Sequence, residues 1–227
     1  MFLAALGAKL PRLPQLILYI VHSAGYDRGM STQMVSDNVD ALVKLALAED
    51  FGDGDVTSQY FVPGELQACA LMRPRTAGVI SGVEVAAKVF KAVDPSLKVT
   101  VHLHDGEQVS PGAIVMSIEG KAQSILGAER TALNFIQRLS GVASMTHKYV
   151  QAIAHTSCKL LDTRKTTPGY RLLEKAAVVH GGGNNHRLGL YDRAMVKDNH
   201  LMTDGDTAHL QACITKLKAD KPGVEVE

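Results

Sequence analysis

Five basic side chains stand in segments that follow predicted strands and are rich in glycine or proline. They are Arg164, Lys165, His186, Arg187 and Lys197. Because arginine pairs bidentately with planar oxyanions and lysine supplies a point charge, such a group suits a small ligand that carries several carboxylates or phosphates. Collecting like charges without an anion costs free energy, so these residue types predict a site for a polyanion.

The wider segment that contains them is also basic. Between Asp162 and His200, seven Lys and Arg residues stand against four Asp and Glu, although the whole chain has a net charge of only +1. Three of the seven, Arg171, Lys175 and Arg193, are interpreted as solvated charges on a helix or in a loop. The triple glycine that precedes the Asn-Asn-His-Arg sequence matches neither common phosphate-loop pattern and indicates only a flexible backbone.

Two glutamates, Glu225 and Glu227, stand at alternate positions near the last residue. On a strand they share one face, because successive side chains point to opposite faces. There a carboxylate can hold sugar hydroxyls or offset positive charge that develops at a sugar carbon. Two frayed terminal charges are an equally good interpretation.

The elements that must position these side chains alternate between strand and helix. The pattern predicts strands at 158–162, 193–197 and 224–227, with helices at 170–180 and 206–217. Such alternation is typical of a parallel sheet or an α/β barrel, in which reactive side chains lie at the carboxyl ends of the strands. We therefore expect the basic segments and the acidic pair on one rim.

The first half of the chain has a different pattern. Short strands and one helix indicate an α+β unit, and a strongly helical stretch follows it. The strands are predicted at 67–72, 78–80, 98–103 and 113–118, the helix at 83–93, and the helical stretch at 124–154, where Gly141 is expected to separate two helices.

Composition excludes several classes of protein. With 227 residues, of which 46% are hydrophobic and 21% charged, the chain suits one large folded domain or two small ones. A net charge of +1 and the lack of tryptophan give no general attraction for nucleic acid or an anionic membrane. Three cysteines without a CxxC pair predict neither a disulfide framework nor a metal site, and a cytoplasmic location fits them best.

The sequence resembles the quinolinate phosphoribosyltransferase family. The resemblance runs from about residue 35 to the last residue and depends on motifs at 129–134, 139–141, 162–169, 180–190 and 196–200. Their most specific parts are Glu-Arg-Thr-Ala-Leu-Asn, Asp-Thr-Arg-Lys-Thr-Thr-Pro-Gly and Val-Lys-Asp-Asn-His.

The resemblance implies a mixed α/β and α+β fold. An N-terminal α/β sandwich domain is followed by an incomplete α/β barrel. The sandwich is expected at 34–128 and the barrel at 129–227, after a loosely ordered extension at 1–33. The resemblance also implies a homodimer, or a dimer-based oligomer, whose active sites lie between one barrel and its neighbour's N-terminal domain.

The reaction that the resemblance implies joins quinolinate and phosphoribosyl pyrophosphate, with Mg²⁺, to give nicotinate mononucleotide, pyrophosphate and carbon dioxide in NAD synthesis. Quinolinate carries two adjacent carboxylates. The side chains expected to clamp them are Arg164, His186, Arg187 and Lys197, joined by Arg130 from the partner chain.

The resemblance also implies a separate set of residues that bind the phosphoribosyl group. Lys165 and Thr163 are similar to family positions that meet the substrate and the phosphoribosyl group. Glu227, rather than Glu225, resembles the acid that binds ribose and stabilises oxocarbenium character. Lys165 and Glu227 are therefore the expected catalytic residues.

The family continues beyond the position of Glu227 through further barrel strands, which bring a second ribose-binding carboxylate and loops for the phosphate. We therefore expect little turnover from these 227 residues alone. A non-catalytic assembly partner with this fold stays open, as does a related transferase for another pyridine carboxylate or a paralogue from molybdenum uptake. The Thr-Arg-Lys and His-Arg pairs favour quinolinate.

Overall fold

The computed structural model describes residues 2–5, 32–201 and 207–227. Its elements follow in the order β1 (Phe2–Ala5), α1 (Thr32–Phe51), α2 (Val56–Phe61), β2 (Gln67–Arg73), β3 (Gly78–Val79), α3 (Val83–Val93), β4 (Lys98–Val101), β5 (Gln108–Val109), β6 (Met116–Lys121), α4 (Ala122–Ala152), α5 (Arg171–His180), β7 (Arg193–Ala194), α6 (Asp198–Leu201), α7 (Thr207–Asp220) and β8 (Glu225–Val226). Most of the predicted extension at 1–33 lies outside the described residues.

The first half forms an antiparallel sheet with helices packed against it. The strand order is β1-β2-β6-β4, and Ala70 of β2 faces Ile118 of β6 in the register. Strands β3 and β5 form a separate small antiparallel pair. Helices α3 and α4 pack on each other and bury Phe90 and Phe135 almost completely, because both helices direct apolar faces toward the sheet. The predicted mixed fold class and the predicted helix at 83–93 are confirmed.

Helix α4 runs unbroken through Gly141, so the prediction of two separate helices is wrong. A glycine inside a helix costs only about 1 kcal/mol relative to alanine, and tertiary packing offsets that cost. On the N-terminal side of Gly141, Leu133 and Ile136 are buried, and on the C-terminal side Ala143 is buried. The helix also crosses residues 128 and 129, where the domain boundary was placed. That boundary stays a prediction.

The second half contains parallel pairings, as the alternation predicts, but its strands are shorter than expected. Strands β7 and β8 pair in parallel, and the segment predicted as a strand at 158–162 forms one parallel bridge, from Leu161 to Asn184. Beyond the last backbone pair of each ladder, side chains accept the hydrogen bonds of the backbone N–H groups. The His186 N–H donates to the Asp162 carboxylate instead of to backbone, and the Lys197 N–H donates to the His200 ring.

Gly82 joins the sheet to the central helices at a point of close approach. It precedes α3 with φ at +91°, a left-handed conformation that favours glycine. A Cβ atom at this position would lie 2.8 Å from Cδ1 of Leu139 and 3.3 Å from Cα of Ile136, both on α4. The missing side chain therefore lets the start of α3 lie directly against α4.

We predict that Gly82→Ala destabilises the fold more than Gly112→Ala. Gly112 also has a positive φ, +81°, but no atom lies within 4 Å of the position that its Cβ would take. The left-handed strain of about 1–2 kcal/mol is common to both variants, whereas overpacking of about 1–3 kcal/mol is added only at Gly82. Urea unfolding measures the difference, and equal losses of unfolding free energy would contradict this account of the α3–α4 contact.

Candidate functional site

The carboxylate of Asp162 is the centre of the site. The parallel bridge at Leu161 places it directly after the strand-like segment, and its side chain is only 5% exposed. Its Oδ1 atom accepts from Lys175 Nζ at 2.5 Å and from the His186 backbone N–H at 2.8 Å. In the amide orientation that its neighbours favour, Asn185 donates to the Oδ2 atom at 2.6 Å. One carboxylate thus joins the strand end, α5 and the loop that carries His186.

Lys175 is therefore not a solvated charge, and that interpretation is wrong. Its side chain is 1% exposed and its ammonium group pairs with Asp162. Burial of an ammonium group without a partner would cost several kcal/mol, so Lys175 can be buried only because it pairs with Asp162. The charge pattern alone could not show which face of α5 would be covered.

The other two cations interpreted as solvated also have structural contacts. Arg171 donates to the Thr166 hydroxyl at 3.1 Å and to the Leu188 carbonyl at 3.3 Å. Arg193 forms an ion pair with Glu225. Both side chains therefore hold loop segments in place while staying partly exposed, so for these two the interpretation as solvated charges stays open.

Glu174 holds the far end of the segment that begins at Asp162. It accepts from the Thr167 N–H at 3.1 Å, from the Thr167 hydroxyl at 2.8 Å and from Arg138 of α4 at 2.6 Å. Burial raises the pKa of this carboxyl, but the hydrogen bonds from Arg138 and Thr167 outweigh burial and leave its pKa below the ordinary value. The group is therefore a fixed anion at neutral pH.

The triple glycine allows close packing and is not simply a flexible segment. Gly181 and Gly183 are both buried. A Cβ atom on Gly181 would lie 2.4 Å from the Ala143 carbonyl oxygen of α4, and one on Gly183 would lie 3.0 Å from Cγ2 of Thr146. The loop can deliver His186 to the rim only because it lies directly on α4.

The predicted clamp and sugar residues differ in how many of their polar groups already have hydrogen-bond partners. Arg164 is half-buried, and its Nε atom is buried without a hydrogen-bond partner among the described residues. Arg187 is 9% exposed and donates to the Arg193 carbonyl at 3.2 Å. Lys165 and Thr163 are exposed, and the Thr163 hydroxyl accepts from the Lys165 N–H at 3.0 Å.

The acidic pair meets the basic loop, as expected for side chains on one face of a strand. His186 Nε2 lies 2.7 Å from Glu227 Oε2 and 3.1 Å from Arg193 NH1, so its tautomer decides whether it donates to the glutamate or accepts from the arginine. Arg193 pairs with Glu225 and lies 3.8 Å from Glu227. Both glutamates are thus engaged in ion pairs.

Two predicted residues have no side-chain bond to this group among the described residues. Arg130 and Lys197 are exposed. Within the described ranges, no hydrogen bond or ion pair joins either side chain to the Asp162 cluster. The structure therefore joins His186, Arg187 and Glu227 through contacts with Arg193. The backbone of Lys197 lies next to this group, because the Val196 N–H donates to the Glu227 carbonyl at 2.7 Å.

Sequence reasoning missed three residues that organise the site, namely Asp162, Glu174 and Lys175. Asp162 was visible as the first residue of a specific motif, and the other two as adjacent opposite charges on an amphipathic helix. A groove of about 520 Å³ along α4 is lined by none of the predicted binding residues. This groove is therefore separate from the basic cluster, whose fixed cations are suited to binding a small polyanion.

Family comparisons agree with this geometry. The family model "Quinolinate phosphoribosyl transferase, N-terminal domain" matches residues 55–140, and the corresponding C-terminal domain matches residues 142–227. The relative named quinolinate phosphoribosyltransferase [decarboxylating] 1b from Nicotiana tabacum is 43% identical over 190 residues, which are 82% of this chain and 54% of the relative. A probable nicotinate-nucleotide pyrophosphorylase [carboxylating] from Bacillus subtilis is 41% identical, and the alignment covers 79% of this chain and 61% of that relative.

Solved structures give the same result. The crystal structure of NadC from Streptococcus pyogenes superposes with a TM-score of 0.78 at 39% identity, covering 86% of this chain and 70% of that one. A nicotinate-nucleotide pyrophosphorylase from Francisella tularensis superposes with a TM-score of 0.76 at 38% identity, covering 88% and 68%. The chain spans about half the length of the plant relatives that it matches. On sequence and structure together, the chain belongs to the quinolinate phosphoribosyl transferase family.

Proposed function

We propose that this chain binds quinolinate and takes part in the transfer of the phosphoribosyl group from phosphoribosyl pyrophosphate to it, with loss of carbon dioxide. The observation that carries the proposal is the basic cluster in which Asp162 and the Arg193 carbonyl hold His186 and Arg187 in place. Cationic donors that are held in place suit the two carboxylates of a dianionic substrate. Several relatives carry the name of this reaction.

The clamp for the two carboxylates consists of Arg164, His186, Arg187 and Lys197. His186 and Arg187 are preorganised, since the Asp162 carboxylate and the Arg193 carbonyl already hold their segment. Lys197 is exposed and would complete the clamp when the ligand is bound. Preorganised donors lower the entropy that binding must otherwise overcome.

The sugar is assigned to the acidic side of the rim. As the bond from the ribose carbon to pyrophosphate breaks and the pyridine nitrogen bonds to that carbon, positive charge develops on the sugar. We assign to Glu227, which lies 2.7 Å from His186, the carboxylate that opposes this charge. Lys165 and Thr163 are assigned to the phosphoribosyl side, where Lys165 offers an exposed point charge. The quaternary nitrogen then lets the ring accept the electron pair released with carbon dioxide, and a proton replaces the lost carboxylate.

Magnesium is assigned to the substrate and not to a cage of side chains. In the part of the chain that the structure describes, no three His, Cys, Asp or Glu side chains are grouped so that they could hold a metal ion. Mg²⁺ commonly binds through substrate phosphates and water. We propose that it enters on the diphosphate of phosphoribosyl pyrophosphate.

We further propose a homodimer in which Arg130 completes the partner's site. Arg130 is exposed on α4 and has no contact with the described cluster of its own chain, which fits a role across an interface. A cytoplasmic location is also proposed, because the three cysteines are free and two of them are exposed. None of the described helices is both long and apolar enough to cross a membrane.

We predict that Arg164→Met weakens quinolinate binding by about 2 to 5 kcal/mol and affects phosphoribosyl pyrophosphate less, because the lost donor faces a carboxylate. Arg164 is a sharper test than Arg187, whose buried side chain also holds the Arg193 backbone. Isothermal calorimetry with each ligand measures both affinities. Arg75→Met, at an exposed arginine of the sheet domain, is the matched control. Equal losses for both ligands, or none, would remove Arg164 from the clamp.

A second prediction separates the two glutamates. Glu227→Gln should weaken phosphoribosyl pyrophosphate binding by about 1.5 to 3 kcal/mol, the range for hydrogen bonds to charged groups. Quinolinate binding should not weaken, because the substitution removes a negative charge beside a dianion. Glu225→Gln, which alters the neighbouring Arg193 pair, serves as the control. Should Glu225→Gln alone reduce the affinity for phosphoribosyl pyrophosphate, the ribose role would pass to Glu225.

The shared site is tested by mixing two variants that each lack one half of the clamp. Arg130→Ala and Arg164→Met chains should each bind quinolinate poorly. After subunit exchange, an equimolar mixture should regain about one quarter of the sites, because each mixed dimer of twofold symmetry has one intact site. Calorimetry gives the number of sites. A mixture that binds no better than its components would place Arg130 outside the site.

A further inference from the structure

Two consecutive residues of α5 hold the two ends of one segment, 162–167. Lys175 Nζ lies 2.5 Å from the carboxylate of Asp162, at the start. Glu174 accepts both the N–H and the hydroxyl of Thr167, at the end, at 3.1 and 2.8 Å. The Lys175 and Glu174 side chains are only 1% and 10% exposed, so both contacts are shielded from water.

The residues between these two ends belong to no helix or strand. Their internal hydrogen bonds are local, from the Lys165 N–H to the Thr163 hydroxyl and from the Thr166 N–H to the Arg164 carbonyl, both at 3.0 Å. Such local bonds shape a loop but do not fix its place on the protein. The attachments at the two ends must therefore set where Arg164 and Lys165 stand.

The same two attachments reach the rest of the rim. Asp162 also accepts the His186 N–H, so Lys175 and the histidine loop share one carboxylate. Glu174 also accepts from Arg138, so the far end of the segment is tied to α4. Adjacent residues on a helix point about 100° apart, which lets one short stretch of α5 reach both ends.

We propose that Glu174 and Lys175 are positioning residues for the quinolinate clamp. This inference rests on the proposed function. Neither residue touches the substrate. Together they fix the separation between the Arg164–Lys165 segment and the His186–Arg187 loop. A buried ion pair adds little net stability compared with an apolar pair. We therefore attribute the presence of the Asp162–Lys175 pair to the single geometry that it imposes.

The first test uses Glu174→Gln, which keeps the side-chain volume and removes the charge and one strong acceptor. Hydrogen exchange of the Thr167 amide should become at least tenfold faster, and the dissociation constant for quinolinate should rise at least tenfold. The melting temperature should fall further than in the control Glu119→Gln, because the Glu174 carboxylate is more buried, so binding and exchange are compared at a temperature at which both variants are fully folded. That control removes the 2.8 Å ion pair with Lys98 on the sheet and should alter neither exchange at Thr167 nor binding.

The second test concerns Lys175. Lys175→Met leaves Asp162 buried and unpaired, and this single variant is expected to fold poorly. Combining it with Asp162→Asn removes both charges and keeps an acceptor for the His186 N–H. The double variant should recover the wild-type melting temperature, while exchange within 163–167 stays fast and quinolinate binding stays at least tenfold weaker. Recovery of binding and slow exchange together with folding would overturn the positioning role of Lys175.

The outcomes separate this inference from the proposed function. If the wild-type chain binds quinolinate and Glu174→Gln binds it equally, with unchanged exchange, the inference is wrong and the function stands. If binding falls only in proportion to a general loss of stability, the role is structural and the inference is again wrong. If the wild type does not bind quinolinate, the proposed function fails, and the exchange rates at 163–167 still decide whether Glu174 and Lys175 hold the segment.

Discussion

The buried pair of Asp162 and Lys175 constrains the whole rim. In a low-dielectric interior neither charge is stable without the other, so the strand end and α5 cannot separate without a large cost in free energy. The same carboxylate also holds the His186 backbone, which adds the glycine-rich loop to the unit. Three segments that are distant in sequence therefore behave as one body.

This constraint explains how basic groups can be gathered before any ligand is present. The rim carries its own counter-charges: Glu225 pairs with Arg193, and Glu227 pairs with His186. Arg164 has no such partner at its buried Nε atom. The rim thus has paired charges on its acidic side. Under the proposed function, a dianionic ring binds on the basic side and the sugar lies beside the carboxylates.

The sequence predicted best what local patterns determine. Helix α3 was predicted with its observed bounds, because its apolar residues recur with the helical period and bury one face. The basic segments were predicted from residue type and from their place after strands, and their role in binding stays a prediction. What failed was set by tertiary contact. Lys175 is buried because Asp162 lies opposite it, and the glycine-rich loop packs on Ala143 because α4 is there.

Helix α4 has a consequence that extends beyond packing. Its 31 residues run without interruption past the sheet at one end and past α5 at the other. Tyr170, which precedes α5, stacks on Phe135 of this helix with the ring centres 5.6 Å apart. Both halves of the chain therefore pack against α4. Inserting one residue into an α-helix turns everything after it by about 100° and advances it by about 1.5 Å. The number of residues in α4 therefore fixes both the rotation and the separation of the rim relative to the sheet. Members of the family are expected to keep this number more strictly than the identities of the residues.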